Sequence, residues 1–529
     1  MTQTPPPLPT DLATAHQLIA ELCAVLHDKD LRLEQLRYQL ECLKRRVFGS
    51  RSEKVDATQL LPFLQELQAL QAQAPQTPQP AVAESASAPK TNGHGRRKPP
   101  VELPRRRIEH PVEESEKTCP ECGGEKQKIG EEVTTQLDYI PAQAWIIEHV
   151  RPKLACPCCE GQVSVAPLPP QPIEKGLPAP GMLAHVAVSK YEDHLPLHRL
   201  ERVFERAGLD IARSTMCDWV RHVADLLEGV WRHMKAEVLL SGLIQTDDTP
   251  VKVQDEKRET LRTSRLWVYL GDHEHPSVVF DYTASRSRDG PVKFLGDYRG
   301  YLQADGYGVY DGICAGTGVI KVACLAHVRR KFFDAKSSAA TRALHALAFI
   351  RQLYDVEDTA KAQAQREAAE QQLDAGAAWQ LLAQTRLRLR QERSAPLMAK
   401  FKAWLDEQSL GVLPKSPLGE AIGYARGQWA ELLPCLSNGD LDLDNNASER
   451  ELRRIAIGRN NWQHLGSDDG GRRAAIIYSL LATCRKHGVN PYEYLRDVLD
   501  RVSTHPASAV ADLLPQNWKP LPPASTASN

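Results

Sequence analysis

Five short stretches decide the fold: LLSGLIQ (239–245), RLWVYL (265–270), SVVFDY (277–282), GYLQA (300–304) and VIKVACLA (319–326). Each is rich in apolar or β-branched residues and set off by turn-forming residues, the pattern of buried strands separated by turns. The last leads into HVRRKFFDAK (327–336), which reads as a basic helix. A mixed sheet with flanking helices is therefore expected over residues 238–335.

Two acids stand out against these strands. LIQTDD (243–248) and YLQADG (301–306) each place an aspartate where the apolar run stops, at Asp247 and Asp305. Acids at strand ends that converge on a cleft are what divalent cations need for phosphodiester chemistry, with the metals about 3.5 to 4 Å apart. Because side chains alternate along a strand, Asp247 and Asp248 should face opposite sides, so only one can line such a site.

Downstream, residues 336–440 read as almost wholly helical, rich in Ala, Gln, Arg and Leu, and helices resume after 446 to end near Leu499. DNNASERELRRIAIGRNNW (444–462) opens a helix in which Asn446 could be the cap and Glu449 the reciprocal third-position glutamate. Ser448 and Glu451 offer a second such box. Acids near helix starts are common for dipole reasons, so the residues alone leave Glu449 open between cap and catalyst. The Pro-rich tail, 515–529, is expected to be disordered, and 441–500 to complete the core.

Upstream, residues 176–235 look helical. PLHRLERVFERAGLDIARSTMCDWVRHVADLL (196–227) reads as helix, turn near Gly208, then helix, which suits a DNA-binding helix-turn-helix or an ordinary helical hairpin. Within 111–170, CPEC (119–122) and CPCC (156–159) flank alternating apolar residues. Two such turns beside a hairpin can place four thiolates around one zinc, with Cys119, Cys122, Cys156 and Cys159 as ligands and Cys158 as the alternative.

Residues 72–110 are rich in Ala, Pro, Gln and Ser and read as a disordered linker. Its distal end carries Arg96, Arg97 and Lys98, suited to an arm on DNA or to plain linker charge. From Ile19 to Val47, apolar residues recur at spacings of three and four, interrupted at Lys29, which predicts a coiled coil over 12–50. Its end, LKRRVFGSRSEK (43–54), holds Arg45, Arg46 and Arg51, either a solvated helix end or a DNA-backbone contact.

The chain has 529 residues, 42% of them hydrophobic, enough for several cores, yet a formal net charge of only −1. Total charge therefore says nothing of a nucleic-acid partner, and any such surface must be local. Five of the twelve cysteines lie between Cys119 and Cys159, a distribution for one metal site and otherwise reduced thiols. No apolar stretch approaches a membrane span and the start lacks a secretory signal, so a cytoplasmic protein with no membrane partner is expected.

Several of these stretches together resemble a known family. KRRVFGSRSEK, the CPEC and CPCC pair, TDDTPVKV, GYLQADGYGVYDG, CLAHVRRKFFD and DNNASERELRRIAIGRNNWQHLGSDDGGRRAAIIYSLLATCRKHGVNPYEYLRDVL are similar to the insertion-sequence-66 family of bacterial transposases. The likeness runs from about residue 15 to 500. It implies a ribonuclease-H-like core with a helical insertion between the second and third acids, and Asp247, Asp305 and Glu449 as a catalytic triad on magnesium or manganese. Spacings of 58 residues between the first two acids and 144 between the last two agree. The family usually has Asp-Glu-Thr where this chain has Asp247-Asp248-Thr249, and the second acid is expected to face away.

The fold class expected is multidomain α+β: a ribonuclease-H-like α/β core with a large helical insertion, preceded by a coiled coil, a zinc knuckle and a helix-turn-helix-like domain. The function expected is a transposase that binds the terminal inverted repeats of its element, cleaves strands and joins 3′-hydroxyls to target DNA. Partners would be double-stranded DNA, a second copy through the coiled coil, and accessory proteins of the same element. His327, after Cys324 in a Cys-x-x-His element, and Arg330, Lys331, Arg453, Arg459 and Arg472 are further DNA-contact candidates. A stand-alone nuclease of the same fold and a zinc-dependent DNA-binding regulator with structural acids are the rival readings.

Overall fold

The computed structural model of the chain describes residues 11–48, 57–72, 121, 143–154, 164–255, 259–314 and 318–520. The four candidate zinc cysteines, Arg51, Arg96, Arg97, Lys98 and nearly all of the expected linker lie outside the described residues, as do the side chains of Arg45 and Arg46. Two units separate, Gln76–Glu148 and a larger one made of Met1–Pro75 with His149–Asn529.

The N-terminal segment forms one long helix, α1 (Leu12–Phe48), followed by α2 (Ala57–Ala72). Along α1, Leu22, Leu26, Leu33, Leu36 and Leu40 are all more than half exposed. α2 instead buries Leu60 and Leu67 in the cluster formed by the helical insertion. A short antiparallel ribbon, β1 (Lys153–Leu154) with β2 (Ser164–Val165), leads to three helices, α3 (Pro180–Tyr191), α4 (Leu197–Arg206) and α5 (Arg213–Val238). Gly208, at φ 80°, supplies the left-handed step between α4 and α5, where the sequence predicted a turn.

All five predicted strands form: β3 (Leu243–Val253), β4 (Arg262–Leu270), β5 (Val278–Thr283), β6 (Tyr301–Ala304) and β7 (Ile320–Ala323). Their order across the sheet is β5-β4-β3-β6-β7, antiparallel among β3, β4 and β5 and parallel from β3 to β6 to β7. A sixth, two-residue strand, β8 (His464–Leu465), runs parallel to the far end of β3.

The structure corrects the expectation that β3 stops at Asp247. Pairing with β4 continues to Val253 opposite Arg262, and the alternation of buried Val251 and Val253 with exposed Pro250 and Lys252 explains why. Asp247 is thus a mid-strand residue, whereas Asp305 does follow directly on the end of β6.

Helices α6 (Asp289–Leu295), α7 (Val309–Cys314) and α8 (Leu325–Ala335) punctuate the strands. The insertion comprises α9 (Ala340–Glu370), α10 (Ala375–Leu389), a π-helical turn at Arg390–Ser394, α11 (Ala395–Leu410), α12 (Pro417–Gly427) and α13 (Trp429–Leu432). Then come α14 (Asn446–Trp462), α15 (Asp468–Lys486) and α16 (Pro491–Arg501).

The two sheet faces have different coverings. On one, Tyr269 stacks on Phe294 of α6 and Trp267 meets Tyr310 of α7 edge-on. On the other, Phe280 packs against Tyr478 of α15. α15 also closes the outer edge of β5, where Thr483 Oγ1 and Ser479 Oγ accept the free N–H groups of Val278 and Phe280 at 3.0 and 2.8 Å. An edge strand whose donors are taken cannot recruit another chain.

Residues 515–520 also depart from the disordered tail expected at 515–529. Leu513 and Leu514 are buried, and the Trp518 indole donates to Asp497 at 2.7 Å while meeting the Tyr494 ring edge-on. A tryptophan among prolines was the signal overlooked, since its ring is large enough to anchor a segment.

Candidate functional site

Strand alternation puts the first two acids on one side. Asp247 pairs with Val268, whose neighbour across β5 is Phe280, so its side chain belongs to the α15 face. Gln245, two residues earlier, shares that face and pairs with Gln303 of β6, and Asp305 lies two residues beyond Gln303. Asp248 pairs with Trp267 and belongs to the opposite face, as expected.

The third acid reaches the same face through the loop that opens α14. Each of Asp442 to Asn445 is tied down. Asp442 takes Arg386 of α10 at 3.1 Å and Gln245 at 3.3 Å on its carboxylate, and Gln303 at 2.7 Å on its carbonyl. The Leu443 carbonyl accepts Leu325 N–H at 2.9 Å, and Asp444 accepts the Tyr354 hydroxyl of α9 at 2.7 Å. Asn445 donates its backbone N–H to Cys324 Sγ at 3.4 Å and its side-chain amide to the Thr246 carbonyl at 3.3 Å. Glu449 sits in the first turn of α14, where the helix N-terminus favours a carboxylate.

Cap assignments from sequence need correction here. Asn445, not Asn446, is the cap residue and makes no side-chain cap bond; its amide nitrogen donates to β3 instead. Ser448 Oγ donates to the Asn445 carbonyl, and Glu451 pairs with Arg485 at 2.9 Å. Glu451 is therefore occupied on α15, while Glu449 lines a cleft of about 530 Å³ with His327, Arg329, Arg330 and Asn446.

Electrostatics link the three acids. Burial pushes Asp247 up to about 7, the negative charges of Asp305, Asp248 and Glu449 push the same way, and the Asp248 backbone N–H on its Oδ1 at 2.7 Å pulls back. Asp305 Oδ1 accepts the Tyr307 N–H at 3.1 Å. A Cβ at Gly306 would stand 2.6 Å from the Tyr424 hydroxyl, so glycine beside Asp305 lets α12 approach. Crowded, all-oxygen carboxylates suit a hard divalent cation. Among the described residues, however, no three His, Cys, Asp or Glu side chains are gathered tightly enough to hold a metal ion.

The basic candidates divide. Arg330 and Lys331 are exposed on α8, with Lys331 5.6 Å from the Tyr424 ring centre, and Arg453 is exposed on α14. Arg459 instead donates to Thr249 Oγ1 at 2.9 Å and to the Pro250 carbonyl at 2.7 Å, stapling α14 to β3. Arg472 pairs with Asp469 on its own helix. His327 is not remote from the acids, since its Nε2 stands 3.6 Å from Glu449 Oε1. Burial pushes the Cys324 thiol up to about 12, so it stays protonated and serves as the acceptor for Asn445.

Sequence reading missed Gln245, Gln303, Tyr354, Arg386, Asp442 and Asp444. The alternating acids of LDLDNN, just ahead of a helix and without basic neighbours, were the available sign that distant cations and donors must meet them.

A mixed sheet with acids on one face, closed by a loop from beyond a helical insertion, fits an enzyme that acts on DNA, and comparison makes the class definite. The family described as "Transposase IS66 family" matches residues 175–473. A "zinc-finger binding domain of transposase IS66" matches 116–160, an "IS66 C-terminal element" matches 479–516, and "Transposase C of IS166 homeodomain" matches 35–108. The chain belongs to the IS66 family of transposases. Among similar proteins, two from Sinorhizobium fredii (strain NBRC 101917 / NGR234), called uncharacterized proteins y4hP and y4qI, are each 32% identical to it. They cover 92% and 96% of this chain and 88% and 93% of their own lengths. A third from that strain, y4jD, is 29% identical over 92% of this chain and 94% of its own. Among the described residues no helix is long and apolar enough to cross a membrane.

Proposed function

We propose that this chain cleaves DNA strands at the ends of its own mobile element and joins the 3′-hydroxyls to target DNA, with Asp247, Asp305 and Glu449 as the catalytic acids. The single observation that carries this reading is the convergence of three separate sequence regions on one sheet face: β3, the end of β6, and the start of α14. The sheet order, with the first strand central and only the second antiparallel to it, supports a ribonuclease-H-like core into which α9 to α13 are inserted.

Asp247, Asp305 and Glu449 would hold magnesium or manganese, which lowers the pKa of an attacking oxygen and neutralises the leaving one. The chain itself supplies the geometry. β3 and β6 are hydrogen-bonded neighbours and fix the two aspartates relative to each other, while the anchored 442–445 loop sets where α14 begins. Ionised Asp247 is disfavoured by burial and by its acidic neighbours, so a cation that draws these acids together relieves that strain. Exposed Arg330, Lys331 and Arg453 are candidate phosphate contacts in this reading, and Arg45, Arg46, Arg51, Arg96, Arg97 and Lys98 are further DNA-contact candidates from the sequence. Cys119, Cys122, Cys156 and Cys159 hold a structural zinc in this reading.

The test is cleavage of a duplex that carries the DNA flanking the gene. With magnesium, the purified full chain should nick at the element end and transfer the 3′-hydroxyl to a second duplex. Binding without either reaction would support the regulator reading, and cutting without end preference the stand-alone nuclease.

A further inference from the structure

We propose that Arg286 is a positioning residue for Asp305, clamped by Asp248 and acting through Tyr307; the inference rests on the catalytic reading above. Asp248, on the sheet face away from the site, is not idle. Its side chain is 1% exposed and is gripped by Arg265 Nη1 at 3.0 Å and by Arg286 through Nε at 3.0 Å and Nη2 at 2.8 Å. Buried carboxylates are retained when fully paired, and the two-pronged contact fixes the plane of the Arg286 guanidinium.

That plane lies over the Tyr307 ring, with the guanidinium carbon 3.7 Å from the ring centre. The Tyr307 hydroxyl donates back to the Arg286 carbonyl at 3.3 Å, so the two residues hold each other at both ends. Tyr307 in turn donates its backbone N–H to Asp305 Oδ1, a turn in which the aspartate side chain bonds the chain two residues on. The other carboxylate oxygen, Oδ2, is left for a cation. The route from Asp248 to Arg286 to Tyr307 to Asp305 gives the acid at position 248 a task that strand alternation alone would not assign. A lysine at 286 would supply the charge but neither the fork nor the flat stacking surface.

Charge and position predict opposite signs, which makes the role testable. Arg286 is a cation near a cation site, so on charge alone its removal should tighten metal binding; if it positions Asp305, removal should weaken it. Manganese binding to the full-length, DNA-free chain can be read from the paramagnetic resonance of the free ion, and binding of end DNA measured separately without divalent metal. Arg286→Ala and Tyr307→Ala should each weaken manganese binding by about tenfold or more, as loss of an outer partner of a metal ligand does. Arg286→Lys should fall short of wild type, and Tyr307→Phe, which keeps ring and backbone, should stay within about threefold. DNA affinity should change by less than about twofold. Unchanged or tighter manganese binding in Arg286→Ala overturns the role, as does a loss of DNA affinity as large as the loss of metal, which would make Arg286 a phosphate contact. Should Arg286→Ala fail to fold, the contrast between Tyr307→Ala and Tyr307→Phe carries the test, since Asp248 then keeps both arginines. Wild-type protein without Asp305-dependent manganese binding would overturn the catalytic reading and this role together.

Discussion

His327 Nε2 stands 3.6 Å from Glu449 Oε1, so α8, at the end of the sheet, touches the helix that carries the third acid. The distance is longer than a hydrogen bond and close enough for the ring to limit where the carboxylate swings. The same two segments are joined beneath by Leu325 N–H to the Leu443 carbonyl and by Cys324 to Asn445. His327, a DNA-contact candidate from the sequence, stands beside an acid.

His327→Ala should therefore lower end cleavage by about tenfold or more while end binding changes by less than about twofold. Gel-shift and single-turnover cleavage on one labelled fragment separate the two. Loss of binding with cleavage of the bound fraction intact would return His327 to the DNA surface.

Asp305→Asn should abolish both cleavage and strand transfer and leave end binding largely intact. The substitution is nearly isosteric, and Oδ1 survives as an acceptor for Tyr307 N–H, so the loop beyond β6 keeps its shape. In this reading affinity would come from basic residues elsewhere. A variant that nicks at the wild-type rate would remove Asp305 from the site.

The contrast between what was legible and what was not follows from where each interaction is written. Strands at 243, 262, 278, 301 and 320 were legible because their cores are local runs of apolar residues. Asp247 and Asp305 were legible as acids beside such runs, yet the extent of β3 was misjudged, because TPVKV buries one face only and the apolar run ends before it. Glu449 could not be separated from an ordinary helix-start acid by its neighbours. What distinguishes it is a loop held by Gln245, Gln303 and Tyr354, partners 199, 139 and 90 residues away along the chain. The partners of Arg459 and Arg472 were hidden for the same reason: a basic residue in sequence does not reveal the carbonyl or carboxylate beside it.

The raised Asp247 gives a pH signature. A carboxyl that keeps its proton to about 7 when folded, against about 4 when unfolded, costs stability as pH rises through that window and nothing below it. Metal-free wild type should thus be less stable than Asp247→Asn at pH 8, on the order of 1–3 kcal/mol, with the gap closing towards pH 4. Magnesium at pH 8 should raise the wild-type melting temperature and leave the Asn variant where it was. Equal melting at every pH would mean that Asp247 is ionised without cost and that the acids are not crowded.

Removing residues 1–48 should lower the oligomeric state. α1 spans 37 residues, and Leu22, Leu26, Leu33, Leu36 and Leu40 stand more than half exposed along it at heptad spacings. Packing of an apolar stripe supplies most of what keeps a helix folded in water, and in a single copy this stripe has no cover. A second copy would supply it in register. α2, by contrast, is already held by Leu60 and Leu67 against the insertion, so the truncation leaves the rest of the chain's packing undisturbed. Transposition needs two element ends in one complex, and a dimer joined through α1 would bring two sites together. Sedimentation of the truncated chain should show a smaller species, and Leu33→Glu should reproduce it without deletion. Single-end nicking should persist in both while paired-end strand transfer falls. A truncated chain that sediments at the full-length oligomeric state would place the assembly surface elsewhere and leave the exposed seam of α1 to another partner.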